Sequence, residues 1–213
     1  LEDGIRLIAK RGQLMQALPT GGSMATVFAS PDLVAAALAP HAGRVGIAAY
    51  NGPQHVVISG EQGAVQAVCS ILESKGMRTT ALAVSHAFHS HLMEPMLAEF
   101  DRVARQVTFS PPRIKLVSNI TGKVIGTDIA APQYWVNHVR QPVAFAAGMK
   151  TLQQEGIHVF MELGPQPTLL GMGHRCLDER GTEDGRWLPS LRPQVPDVQL
   201  IYRSLGALYV RGA

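Results

Sequence analysis

Three of the eight histidines fall within one short string, Ser85-His86-Ala87-Phe88-His89-Ser90-His91. Imidazole takes and returns a proton near neutral pH, because its unperturbed pKa is ~6.5, and it also ligates metals. A zinc site is therefore one use of the cluster. However, H-x-x-H-x-H on a strand-to-helix turn is not a usual ligand spacing, and no cysteine stands close by in the sequence. A second use is structural, with the rings at surface and cap positions of a helix start. A third is general acid–base chemistry, and here position singles out His89. It sits where a small α/β unit returns to the rest of the chain, so it faces the cleft between them, where ligand sites concentrate.

Elements on both sides must hold that residue. Apolar positions Ile5, Leu7, Ile8, Leu14, Met15 and Leu18 recur at helical spacing and predict a helix over 3–18, stopped by Pro19-Thr20-Gly21-Gly22. A strand is expected over 23–29, then a helix through about residue 39, with Ser30 before it and Pro31 at its first position. Strands at 45–50 and 55–60 flank an Asn51-Gly52-Pro53 turn. An amphipathic helix over 61–76 and a strand over 77–84 complete the order β-α-β-β-α-β, the split βαβ or ferredoxin-like arrangement. Beyond it, 91–106 reads as a helix, 114–118 and 122–125 as short strands, and 132–155 as a helical stretch broken at Pro142. The apolar run 157–163 suits a buried parallel strand. Gly164-Pro165 precedes a helix to about 177, 180–186 reads as a charged loop, 187–191 as a strand, and the Pro-rich 192–196 leads into a final helix. This alternation fits part of a parallel α/β core.

Of the 213 residues 46% are hydrophobic and 16% charged, a globular composition. No run approaches the ~18 apolar residues of a membrane helix. No signal peptide opens the chain; it starts Leu1-Glu2-Asp3-Gly4 and reads as the middle of a longer polypeptide. Cys69 and Cys176 lie far apart in helical patterns, which suggests free buried thiols and a reducing cytoplasm. The net charge of +3 is scattered, which argues against nucleic acid but gives a mild field suited to anionic ligands.

The string Val84-Ser85-His86-Ala87-Phe88-His89-Ser90-His91-Leu92-Met93-Glu94-Pro95-Met96 resembles the active-site histidine segment of the acyltransferase domains of modular polyketide synthases. The resemblance implies that His89 is catalytic. A serine would attack the acyl thioester while histidine takes the hydroxyl proton, returns it to the departing thiol, and then activates a carrier-protein thiol. Further strings agree in order. Arg11-Gly12-Gln13-Leu14-Met15-Gln16 is similar to the helix whose arginine, here Arg11, holds the substrate carboxylate through two parallel hydrogen bonds. Tyr50-Asn51-Gly52-Pro53-Gln54 resembles a hairpin whose asparagine, Asn51, lies near the substrate. Tyr134-Trp135-Val136-Asn137-His138-Val139-Arg140-Gln141-Pro142-Val143 looks like the segment that approaches the imidazole. By that match His138, through its backbone carbonyl, orients His89. Glu162-Leu163-Gly164-Pro165 and Leu188-Pro189-Ser190-Leu191-Arg192-Pro193 match a strand-to-turn element and the start of the following linker. Ala87-Phe88-His89 is similar to the malonyl type, whereas methylmalonyl types carry Tyr-Ala-Ser-His. Phe88 would fill the space of an α-methyl, a preference worth ~1–3 kcal/mol. His86, Phe88 and Asn51 are by this resemblance substrate-binding.

The resemblance implies a partial α/β-hydrolase-like core over 1–20 and 90–191, an inserted ferredoxin-like subdomain over 21–89, and a linker over 192–213. It implies malonyl-coenzyme A as substrate, phosphopantetheine on a partner acyl carrier protein, and no resident cofactor or metal. The expected neighbours are a ketosynthase, its linker and the missing N-terminal part of the acyltransferase; neither nucleic acid nor membrane is expected. The family's Gly-His-Ser-x-Gly elbow has no counterpart in the 213 residues. The nearest string, Gly21-Gly22-Ser23-Met24-Ala25, leads from a helix into a strand, the reverse of an elbow. The chain alone is therefore expected to be inactive. Two alternatives remain open: a non-catalytic module that docks a carrier protein or ketosynthase, and a hydrolase using Ser23 with His89.

Overall fold

The apolar positions Leu7, Leu14 and Met15 place one face of the first helix, α1 (Glu2–Gln16), against a core. This is the opening element of a computed structural model that describes residues 1–177 and 186–212. The chain forms two units, Leu1–Gly148 and Met149–Ala213.

In the first unit α1 is followed by β1 (Gly22–Phe28), α2 (Pro31–Leu38), β2 (Val45–Gly52), β3 (His55–Glu61), α3 (Gln62–Ser74) and β4 (Arg78–Ala81). The four strands pair antiparallel in the order β2-β3-β1-β4. Side chains alternate across a strand, so Val27, Val56 and Ile58 meet Val34, Val68 and Leu72 of α2 and α3 on one face. All six are essentially fully buried, and each such side chain contributes about 1.5–3 kcal/mol of burial. The opposite face presents Met24, Ala48 and Val57 to Phe88. The expected turn at Asn51-Gly52-Pro53 shifts by two residues. The β2 strand continues to Gly52, which pairs with His55, and the turn is Pro53-Gln54. Proline fixes its own φ and favours a turn over a ladder position, which fits this placement.

After an extended stretch, a 3-10 turn (His91–Met96) leads into α4 (Leu97–Ala104). One continuous helix over 91–106 was the expectation. Pro95, inside the segment, has no N–H to donate, and the tighter turn tolerates it. The strands expected over 114–118 and 122–125 contract to β5 (Leu116–Val117) and β6 (Val124–Ile125), joined at Gly122 in a left-handed conformation (φ 66°). Helices α5 (Pro132–Arg140) and α6 (Phe145–Gln154) are separated at Pro142, as the sequence indicates. Leu7, Met93, Met96, Phe100, Val136 and Val139 form the second core of this unit.

In the second unit β7 (Val159–Glu162) pairs parallel with β8 (Arg186–Pro189), and α7 (Thr168–His174) connects the two in the described chain before the last helix, α8 (Asp197–Tyr209). The Phe160 and Trp187 rings stack at 4.5 Å. The Glu162 carboxylate accepts the Leu170 amide at 2.9 Å, which satisfies a donor in the first turn of α7. The run 157–163 is parallel as expected, but it is not buried. Only Phe160 is, while Met161 and Leu163 are 38% and 80% exposed. Among the described residues a single partner strand covers one edge of β7 and leaves the rest open. The charged loop expected over 180–186 lies, apart from the Arg186 backbone, outside the described residues.

Candidate active site

The chain reaches His89 through a loop that little else would allow. Gly22, at the start of β1, lies so close that a Cβ there would fall 2.6 Å from the Ala87 Cβ and 2.9 Å from Leu92 Cδ1. The Ser90 hydroxyl donates to the Ala87 carbonyl at 2.6 Å and accepts the Leu92 amide, capping the 3-10 turn. These contacts hold His89 at φ 58°, a left-handed conformation costly for a side chain with a Cβ. Backbone strain of this kind persists where the surroundings over-determine it, and it clusters at functional sites.

The His89 ring is fixed from the other side. Its Nδ1 donates to the Gln141 carbonyl at 2.8 Å. A carbonyl only accepts, so Nδ1 carries the proton and Nε2 keeps its lone pair. Gln141 ends α5 in an extended conformation (ψ 148°), as a residue before proline prefers, and this turns its carbonyl out of the helix axis. Two residues on, the Val143 amide donates to the Ala48 carbonyl, and the Val143 carbonyl accepts the Tyr50 amide, each at 2.8 Å. The segment that orients His89 is thus laddered to β2.

The carbonyl on the imidazole is therefore that of Gln141, in place of His138. A residue inside α5 points its carbonyl along the helix axis; the first extended residue after the helix is the one able to reach sideways. The His138 side chain lies close nevertheless, with its ring edge-on to His89 at 6.1 Å between centroids. Its Nδ1 accepts from Arg11 Nη1 at 3.2 Å. Arg11, His138 and His89 form one cluster at the meeting of α1, α5 and the 85–90 loop. Burial, then the Arg11 charge, lowers the His89 pKa against the opposing effect of the Gln141 hydrogen bond. Burial, Arg11 and His89 together lower His138 to about 4. Burial also lowers Arg11 from its ordinary value. A neutral imidazole with a free Nε2 beside a guanidinium can take a proton from a hydroxyl or thiol while an anionic group is held nearby.

The remaining candidates divide. Phe88 is a wedge, packed against Met24, Ala48 and Val57 on one side and the second core on the other. His86 is almost fully buried, and its Nε2 donates to the Leu18 carbonyl at 3.1 Å, so it clasps the loop to the chain just after α1. Asn51 lies on β2 next to Tyr50, whose amide donates to the Val143 carbonyl. Ser23 alternates with Met24, and it lines a cavity of about 460 Å³ with Gln66, Cys69 and Glu73 beside α3. Met24 faces Phe88, so Ser23 points away from His89, against a Ser23–His89 pair. The His86, His89 and His91 rings go to three different partners: the Leu18 carbonyl, the Gln141 carbonyl and the Glu61 carboxylate. Among the described residues no group of three or more His, Cys, Asp or Glu could hold a metal ion, and no helix is long and apolar enough to cross a membrane. Sequence reading missed Gln141; the available signal was its place before Pro142 at a helix end.

The family model for the acyl transferase domain matches residues 1–213. The chain is 45% identical to polyketide synthase GfsB of Streptomyces halstedii over 217 aligned residues, covering all of this chain and 4% of that one. Its fold is similar to the acyltransferase domain from the second module of the salinomycin polyketide synthase, with a TM-score of 0.92 and 44% identity over 97% of this chain and 48% of that one. It is also similar to a malonyl-transacylase in complex with its type II polyketide synthase acyl-carrier protein, with a TM-score of 0.83 and 26% identity over 95% of this chain and 64% of that one.

Proposed function

The chain belongs to the acyl transferase domain family, and from that premise we propose that it is the His- and Arg-bearing part of a malonyl transferase within a polyketide synthase. The observation that carries the reading is the pairing of a tautomer-fixed imidazole at His89 with the Arg11 guanidinium in one half-buried cluster. In the proposed reaction His89 Nε2 takes the proton of a serine hydroxyl as the oxygen attacks the malonyl thioester carbonyl. The carbon–sulfur bond breaks, and the proton passes to the departing coenzyme A thiolate. The same nitrogen then deprotonates the phosphopantetheine thiol of an acyl carrier protein; the thiolate takes the malonyl group, the carbon–oxygen bond to serine breaks, and the proton returns to the serine oxygen. Gln141 holds the tautomer throughout. Arg11 holds the malonyl carboxylate, and Phe88, backed by two cores, limits substitution at the α-carbon. The buried His86 clasp bears on the substrate through the loop it fixes. No resident cofactor or metal is needed for these steps.

The solved relative bound to an acyl-carrier protein supports a carrier protein as partner, with the other domains of a synthase as neighbours. Cys69 and Cys176 form no disulfide among the described residues, which suits a reducing cytoplasm. We read 21–89 as the ferredoxin-like subdomain, supported by the strand order β2-β3-β1-β4 with both helices on one face. Residues 1–20 and 90–191 would belong to an α/β-hydrolase-like core, and 192–213 to the linker that follows it. The nucleophile would come from a segment outside these residues, and the chain alone would not transfer malonyl. Adding that segment and measuring malonyl transfer to a carrier protein tests the reading; activity that survives His89→Gln would refute it.

A further inference from the structure

The guanidinium assigned to the substrate carboxylate is itself held by an imidazole. Arg11 Nη1 donates to His138 Nδ1 at 3.2 Å, and Nδ1 can accept only without a proton. His138 is therefore neutral and carries its hydrogen on Nε2, the opposite tautomer from His89. Its environment favours that form, since burial, the Arg11 charge and His89 lower its pKa to about 4. The ring is also confined. Tyr134 and Trp135 of the same helix contact it at 6.2 Å each, both tilted by 41°, and His89 lies edge-on at 6.1 Å. A long arginine side chain otherwise samples many rotamers and loses that freedom when it binds.

We propose that His138 is a positioning residue for Arg11: its Nδ1 lone pair fixes the guanidinium so that the remaining N–H donors face the anionic end of the acyl donor. One donor is spent on the imidazole, and four remain, enough for a bidentate carboxylate contact. The inference rests on the carboxylate-binding reading of Arg11. It gives His138 a task distinct from orienting His89, which Gln141 performs.

The test titrates the ¹⁵N-labelled chain with malonyl-coenzyme A and with acetyl-coenzyme A, which lacks the carboxylate, in wild type, Arg11→Ala, His138→Leu and His138→Asn. Ring ¹⁵N signals should place the His138 proton on Nε2. Wild type should prefer the malonyl ester, and Arg11→Ala should remove the preference. His138→Leu should cut it about tenfold with the backbone spectrum retained. His138→Asn should recover most of it, because Oδ1 stands where Nδ1 stood. A ring protonated on Nδ1, or a Leu variant that keeps the preference which Arg11→Ala loses, would overturn the positioning role and leave the functional reading intact. Equal binding of both esters by wild type, unchanged in Arg11→Ala, would remove the carboxylate reading and the positioning role with it. The tautomer and the Asn variant decide the matter if the Leu variant does not fold.

Discussion

Arg11, His89 and His138 share one half-buried volume, and each is pushed toward its neutral form, so the cluster resists acid in a defined way. The His89 pKa lies below its ordinary 6.5, first because of burial and then because of the Arg11 charge. Titration of the His89 ring by NMR is expected to give a midpoint below 6.5, and Arg11→Met is expected to raise it. In an active assembly the acid limb of the transfer rate should follow the same midpoint. The stability of the fold carries the same signature. Between about 4 and 6.5 the unfolded chain binds a proton at position 138 that the folded chain refuses, so stability falls as pH drops through that window. His138→Asn removes that group and should flatten the pH dependence of urea unfolding there. At this scale residue type was legible in the sequence and partnership was not. His89 stood out by chemistry, position and resemblance, and Arg11 by resemblance alone. Yet Arg11 and His138 are 127 positions apart in the chain, and their contact exists only once α1 and α5 are packed. Gln141 acts through its backbone, which its side-chain type does not advertise.

The elements matter here mainly as the means of holding a loop in a strained place. Residues 141–143 serve His89 at one end and the edge of β2 at the other. Val143→Pro removes the amide that donates to Ala48. It should loosen β2 by about 1 kcal/mol or more, seen as faster amide exchange at Tyr50 and a shifted His89 ring signal. Gly60 is a second pressure point. A Cβ there would come 2.2 Å from the Arg44 carbonyl oxygen and 2.6 Å from the Val45 Cα, backbone that cannot yield cheaply. Gly60→Ala should therefore cost about 1–3 kcal/mol in urea unfolding, whereas Gly63→Ala, with open space around it, should cost little. Periodicity found β1, β2, β3, α2 and α3, because each buries one face and shows it as a pattern; the mostly exposed β4 was read too long, and the 3-10 turn Ala39–His41 was missed. It failed where burial is not periodic. The strands over 114–118 and 77–84 contract to Leu116–Val117 and Arg78–Ala81, although the Ser118 amide still donates to the Lys123 carbonyl and the Leu82 amide to the Met24 carbonyl, each at 2.9 Å. The exposed Met161 and Leu163 were read as core because composition reports what a strand could bury, and partners decide what it does bury.

On the scale of the whole molecule, the chain spans 4% of its polyketide synthase relative and 48% of the solved acyltransferase it resembles. Of the two units, the first holds the entire Arg11–His138–His89 cluster. On the proposed reading, the carboxylate-binding arginine and the base both lie within these residues. The nucleophile they would serve is not recognisable among them, and Ser23 faces away. This division of labour is the central claim, and intact mass spectrometry after incubation with malonyl-coenzyme A tests it most directly, on this chain alone and together with an upstream segment that bears a Gly-His-Ser-x-Gly string. The account predicts a gain of one malonyl group only when both are present, lost in His89→Gln and strongly reduced in Arg11→Ala. A malonyl adduct on the isolated chain that maps to Ser23, or no adduct in either sample, would contradict it.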